Sequence, residues 1–81
     1  MYLEILTPGK KVFAGDIKLV KVPGSDGSFE VMPNHAPVIA TLQTGNVKII
    51  TSTDETQNFT IDSGVIQVTG DKVIVLAESL L

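Results

Sequence analysis

Two short stretches hold the residues whose type and spacing could do chemistry. The first runs from Val22 to Glu30, where Gly24 and Gly27 bracket Ser25 and Asp26. A glycine-bracketed turn can cradle a phosphate with its backbone N–H groups. Such loops open a helix and keep a lysine or arginine close by, whereas this one leads into the strand-like segment Phe29 to Met32. It reads as a polar turn in which Gly24 and Gly27 permit positive φ. Asp26 and Gly27 echo a fragment of a calcium loop, but the spaced acidic ligands and closing glutamate are missing. The second stretch runs from Met32 to Val38 and places the only histidine, His35, between Pro33 and Pro37.

The two prolines each fix one φ and push the preceding residue toward extended geometry, while Asn34 tolerates a left-handed backbone. His35 is therefore presented on a stiff bend, and a stiff bend loses little entropy on docking. A metal site needs several converging ligands, and a single histidine with no cysteine does not supply them. A Ser25, His35 and Asp26 triad has no G-x-S-x-G elbow or oxyanion hole beside it. Two readings of His35 remain: a contact with a partner, or a hydrogen bond to loop backbone that holds the bend. No catalytic residue, metal or cofactor is expected.

Positioning these loops falls to strands. Turn signals recur every four to eight residues, and the segments between them are rich in Val, Ile and Thr, which suit a pleated surface. The expected strands are Tyr2 to Leu6, Lys11 to Ala14, Ile17 to Val22, Ser28 to Met32, Val38 to Leu42, Asn46 to Ser52, Thr56 to Ile61, Val65 to Thr69 and Lys72 to Glu78. Leu3 and Ile5 alternate with Tyr2, Glu4 and Leu6, and Val47 and Ile49 with Asn46 and Lys48, so those strands have one wet face. Val73 to Ala77 is apolar on both faces, which asks for a central or partner-covered position. No helical stripe, repeat or linker interrupts the series. The fold class expected is all-β: a small antiparallel β-sandwich or flattened barrel of eight to ten short strands, one domain over residues 1–81.

Composition narrows the function classes. A chain of 81 residues buries only about 60 to 65% of its unfolded surface, so a deep substrate cleft would compete with the core. Hydrophobic residues at 43% against 19% charged argue for folding rather than disorder. The net charge of −3 and the absence of arginine make nucleic acid an unexpected partner. With no cysteine to cross-link it, the domain relies on its core or on a partner that completes it. No apolar run approaches a membrane span and no export signal is visible, so a soluble protein is expected.

A family resemblance gathers these features. The residues are Phe13 to Gly15; the Gly24 to Gly27 turn with Phe29 and Val31; Pro33, His35, Ala36 and Pro37; Leu42; Gly45 with Val47 and Ile49; Gly64 and Val65; and Val73, Val75, Leu76 and Ala77. In this order, over nearly the whole chain, the pattern resembles the N-terminal β-sandwich domain of the epsilon subunit of the rotary F-type ATP synthase. The resemblance implies a non-catalytic subunit at the foot of the central stalk that grips the gamma subunit and rests on the polar loops of the membrane c-ring. Rotation of the ring would thereby turn the stalk. Carried over by position, the c-ring contacts fall on Ser28 and His35 with Glu30, Asn34 and Ala36 as neighbours, and the gamma-facing positions on Thr7 and Ala40. Gly24, Gly27, Pro33 and Pro37 would keep the contact loops rigid.

Two departures from the family pattern stand in the loops, since Glu30 and Asn34 occupy positions where the family usually has glycine. Many members continue into a two-helix hairpin, which in some binds ATP. Here the sequence stops at Leu81, as either a naturally short chain or one cut at the domain boundary would; its start at Met1 favours the first as the expectation, and no ATP site is expected. Membrane association is expected only through the complex, at the cytoplasmic face of a bacterial inner membrane or the stromal face of a plastid thylakoid. The competing expectation is a generic β-sandwich interaction or ligand-binding module, with a small hydrolase third.

Overall fold

The computed structural model describes residues 1–81 and contains eight strands: β1 (Tyr2–Thr7), β2 (Lys10–Val22), β3 (Phe29–Val31), β4 (Val38–Leu42), β5 (Gly45–Thr51), β6 (Thr56–Ile61), β7 (Gly64–Thr69) and β8 (Lys72–Ala77). The all-β expectation holds. The segments Lys11 to Ala14 and Ile17 to Val22, expected as separate strands, are one 13-residue strand. Its first half pairs with β1, from Tyr2 opposite Asp16 to Thr7 opposite Lys10. Its second half pairs with β5 on one side and β3 on the other. Gly15 and Asp16 are therefore not a turn. They form the corner at which β2 leaves one layer of the sandwich and enters the other, and a small residue suits that bend.

One layer has the order β4-β7-β8-β1-β2, and β2 continues into the second layer with β5, β6 and β3. Most pairs are antiparallel, as the tight turns predict. The exception is β1 with β8, which run parallel from Tyr2 opposite Lys72 to Leu6 opposite Leu76. This pairing brings the two ends of the chain together at the centre of the first layer, and no tight turn specifies its direction.

The alternation read from the sequence places the core. Leu3, Ile5, Val20, Val22, Val47, Ile49, Ile66, Val73 and Val75 are buried between the layers. Burying one such side chain contributes about 1.5–3 kcal/mol, which is how a domain without cross-links holds together. β8 lies between β7 and β1. Its inner face (Val73, Val75, Ala77) is buried, while on the outer face Ile74 is half-buried and Leu76 is 50% exposed. On the seam where the layers meet, the rings of Phe13 and Phe59 pack at 6.3 Å between centroids with their planes tilted by 60°.

Candidate functional site

The bend after β3 is a hydrogen-bonded turn. The His35 N–H donates to the Met32 carbonyl at 3.1 Å. Pro33 occupies the position of such a turn that wants φ near −65°, and Asn34 the position that wants positive φ. Asn34 has φ of 72°, a left-handed conformation that asparagine tolerates better than most non-glycine residues. His35 Nδ1 donates to the Ala36 carbonyl at 2.6 Å. Met32, Pro33, Asn34, Ala36 and Pro37 are exposed and His35 is half-buried. The histidine ring thus braces its own loop through Nδ1.

The glycine turn sits at the opposite end of β3. The Gly27 N–H donates to the Gly24 carbonyl at 2.9 Å, closing a turn around Ser25 and Asp26. Gly27 has φ of 125°, as the sequence reading requires, but Gly24 is not in that region. Gly24 is needed for a different reason: a Cβ there would meet the Gly27 carbonyl oxygen at 2.5 Å and the Phe29 ring at 2.9 Å. The turn is pinned to β4 by a bridge from Gly24 to Leu42, by Ser25 N–H donating to the Thr41 carbonyl at 2.9 Å, and by Thr41 Oγ1 donating to Ser25 Oγ at 3.0 Å. Ser25 and His35 thus each bond elsewhere, and no relay joins them to Asp26.

Ser28 leads into β3 and Met32 leaves it, so a three-residue strand about 7 Å long separates the two loops. Ser28, Glu30, Asn34 and Ala36 are exposed along this ribbon, with His35 beside them. Glu30 faces Lys21 of β2 across the strand pair.

Thr7 lies elsewhere, on the rim of a groove of about 630 Å³ on the outer face of the first layer. Leu6, Pro8, Val65 and Leu76 line the groove. Leu6 pairs with Leu76, and Leu76 with Val65, so the three form one row across β1, β8 and β7. The signal for this patch was in the sequence: Leu6 and Leu76 are apolar at positions whose alternation makes them wet. Ala40 does not join it. Its partner in β7 is Ile66, a core residue, so Ala40 turns inward while Ile39 and Thr41 on either side are exposed.

Two ion pairs decorate the surface, Lys11 with Glu4 at 3.1 Å and Lys18 with Asp54 at 2.6 Å. The Lys11 hydrogen bond holds the Glu4 carboxyl below its ordinary value, helped by the charges of Lys11 and Lys72 and a bond from the Tyr2 hydroxyl, and opposed by partial burial. No group of three or more His, Cys, Asp or Glu side chains converges anywhere in the chain.

These features define an all-β domain with two hydrogen-bonded turns flanking β3 and an apolar groove. The family profile described as the ATP synthase delta/epsilon chain β-sandwich domain matches residues 1–81, and the chain belongs to that family. It is 40% identical over 78 residues to the ATP synthase epsilon chain of Chlorobium limicola, a match covering 96% of this chain and 89% of that one. With the ATP synthase epsilon chain of Campylobacter hominis it shares 40% identity over 79 residues, covering 95% of this chain and 60% of the relative. The chain therefore spans most of some epsilon chains and little more than half of others. Among solved structures, a chain of the Euglena gracilis mitochondrial ATP synthase (OSCP/F1/c-ring) shares the fold with a TM-score of 0.88 at 12% identity, over 98% of this chain and 51% of that one. A chain of the Tetrahymena thermophila mitochondrial ATP synthase central stalk and c-ring matches with a TM-score of 0.82 at 19% identity, over all of this chain and 65% of that one.

Proposed function

We propose that this chain is a non-catalytic subunit of the central stalk of an F-type ATP synthase, where it couples ion-driven rotation of the c-ring to the gamma subunit. The observation that carries the reading is the end-to-end similarity to ATP synthase epsilon chains. The physical features of the domain suit the role. A torque coupling requires a stiff sheet, a contact that does not reorganise under load, and no reaction of its own.

In this reading the ribbon of Ser28, Glu30, Asn34, His35 and Ala36 meets the polar loops of the ring. Pro33 and Pro37 limit the conformations of the bend, and Gly24 and Gly27 let the neighbouring turn close, so docking freezes few additional dihedrals. The groove rimmed by Thr7 receives apolar side chains of the gamma subunit, which would cover Leu76 and its neighbours. Ala40 takes part only through the exposed side chains beside it, Ile39 and Thr41. The domain reaches the membrane only through the complex, on its cytoplasmic side.

The test is co-expression with the gamma subunit of the same organism followed by size-exclusion chromatography. The expected result is a stable complex of the two chains. Separate elution, with gamma soluble and this chain folded, overturns the proposal.

A further inference from the structure

We propose that Asn34 is a site of spontaneous covalent modification, at which the side-chain amide is lost and the bend after β3 becomes an aspartyl or isoaspartyl turn. Asparagine is a thermolabile residue, and the chemistry needs only its own neighbour and water. The His35 backbone nitrogen, its proton lost to solvent base, attacks Asn34 Cγ. A C–N bond forms, the side-chain nitrogen takes up a proton and leaves as ammonia, and a cyclic succinimide remains. Water then opens the ring at either carbonyl, so that the chain continues through the α-carboxyl as aspartate or through the side chain as isoaspartate.

The backbone decides which asparagine reacts. The chain has three, Asn34, Asn46 and Asn58, and all are exposed, so access to water does not separate them. Asn46 and Asn58 lie in β5 and β6, and Asn46 Nδ2 donates to Asn58 Oδ1 at 2.9 Å. Their attacking nitrogens would be those of Val47 and Phe59, which stand opposite each other. The Thr51 N–H donates to the Glu55 carbonyl at 2.8 Å. Backbone groups alternate in direction from there, so Val47 and Phe59 exchange both hydrogen bonds. Each nitrogen is thus held in the ladder, beside a branched or aromatic side chain that hinders it further.

The bend lacks these restraints at the one dihedral that matters. Pro33 fixes its own φ and Pro37 pushes Ala36 toward extended geometry, but neither fixes rotation about the Cα–C bond of Asn34. That rotation carries the His35 nitrogen toward Cγ. It is opposed by one hydrogen bond, from the His35 N–H to the Met32 carbonyl at 3.1 Å, the only backbone bond made within residues 32–37. Opening one exposed bond is a smaller fluctuation than opening a strand ladder.

The glycine turn is the contrast. Asp26 precedes Gly27, the least hindered neighbour a succinimide can have, yet that turn is tied to β4 through the Ser25 N–H and Thr41 Oγ1 as well as closed by the Gly27 N–H. At Asn34 the two products alter the bend differently. Either adds one negative charge to a chain of net −3. Isoaspartate also inserts a methylene into the backbone between the Met32 carbonyl and the His35 N–H, which lengthens the turn and breaks the bond that closes it. Neither effect depends on the ring contact proposed above, so the modification and that contact fail independently.

The experiment incubates the full chain in mildly alkaline buffer made with heavy-oxygen water, follows each asparagine by peptide mapping, and assays isoaspartate with isoaspartyl methyltransferase. The expected result is heavy oxygen incorporated at residue 34, in both products, at least about tenfold faster than at Asn46 or Asn58, a barrier difference of about 1.4 kcal/mol or more. Unfolding in urea should narrow that gap by freeing Asn46 and Asn58 from the ladder. His35→Val, whose branched side chain hinders the nitrogen, should slow the reaction at least about tenfold, and Asn34→Gly should remove the acidic species and keep the fold. Equal native rates at the three asparagines, a gap unchanged by urea, or an acidic species that persists in Asn34→Gly overturn the proposal. So does a native chain whose Asn34 stays intact after the urea-unfolded chain has reacted there.

Discussion

Val75 and Leu76 are adjacent in β8 yet answer to different environments, and an aspartate at each separates folding from assembly. Val75 has no exposed surface and Leu76 is 50% exposed. Val75→Asp forfeits about 1.5–3 kcal/mol of side-chain burial and adds several kcal/mol for an unpaired carboxylate between the layers. The total is about 5 kcal/mol or more, against about 4–12 kcal/mol for a domain of this length at the usual per-residue stability. The variant is expected to be unfolded, or to have lost most of its thermal margin. Leu76→Asp gives up roughly half of a leucine's burial, about 1 kcal/mol, which lowers Tm by about 4–8 °C in a domain of this size. It should fold but fail to bind the gamma subunit, because the carboxylate stands in the apolar groove. Circular dichroism melts and co-elution with gamma read the two effects. A folded Val75→Asp that binds gamma, or an unfolded Leu76→Asp, would refute the inward and outward assignment of β8.

Three further perturbations follow from local geometry. Asn34→Ala places an ordinary side chain at φ of 72°, a loss of about 1 kcal/mol and hence about 4–8 °C in Tm, whereas Asn34→Gly should melt within a few degrees of the parent; calorimetry distinguishes them. Gly24→Ala drives a methyl group against the Gly27 carbonyl and the Phe29 ring and should destabilise by about 1–3 kcal/mol, read as a reduced urea midpoint with unchanged slope. Because Lys11 depresses the folded-state pKa of Glu4, the unfolded chain binds more protons in acid. The associated stability is present above the ordinary carboxylate pKa and fades as pH falls through the folded value. Lys11→Gln should move the Glu4 titration, followed by carbon NMR, upward and flatten the acid limb of stability.

Much of this architecture is legible in the sequence because its determinants are local. The Pro33 and Asn34 turn follows from one fixed φ and one residue that tolerates the left-handed region, and the structure has both at the expected places. The alternation of Leu3 and Ile5, and of Val47 and Ile49, names core residues for the same reason. Non-local facts are hidden. Gly15 and Asp16 have the composition of a turn, and only the pairing of β2 with different partners on either side makes them a corner. The parallel direction of β1 against β8 joins segments some 70 residues apart, and neither segment encodes it alone. Gly24 reads as a positive-φ residue, but its constraint is steric, from the Gly27 carbonyl oxygen and the Phe29 ring. Ala40 illustrates the limit at the candidate site. The apolar Ile39 beside it obscures which phase of β4 is inward, and the strand partner Ile66 decides the matter.

The central claim is that a stiff bend transmits torque between ring and stalk. Its most direct measurement is proton or sodium pumping per ATP hydrolysed by the reconstituted complex carrying Pro33→Ala with Pro37→Ala. Each substitution returns about 0.4–1 kcal/mol of chain freedom, so the domain should still fold. The account predicts reduced pumping per ATP, with the subunit still bound to gamma. An unchanged ratio, with the bend shown by amide exchange to be loosened, would contradict it.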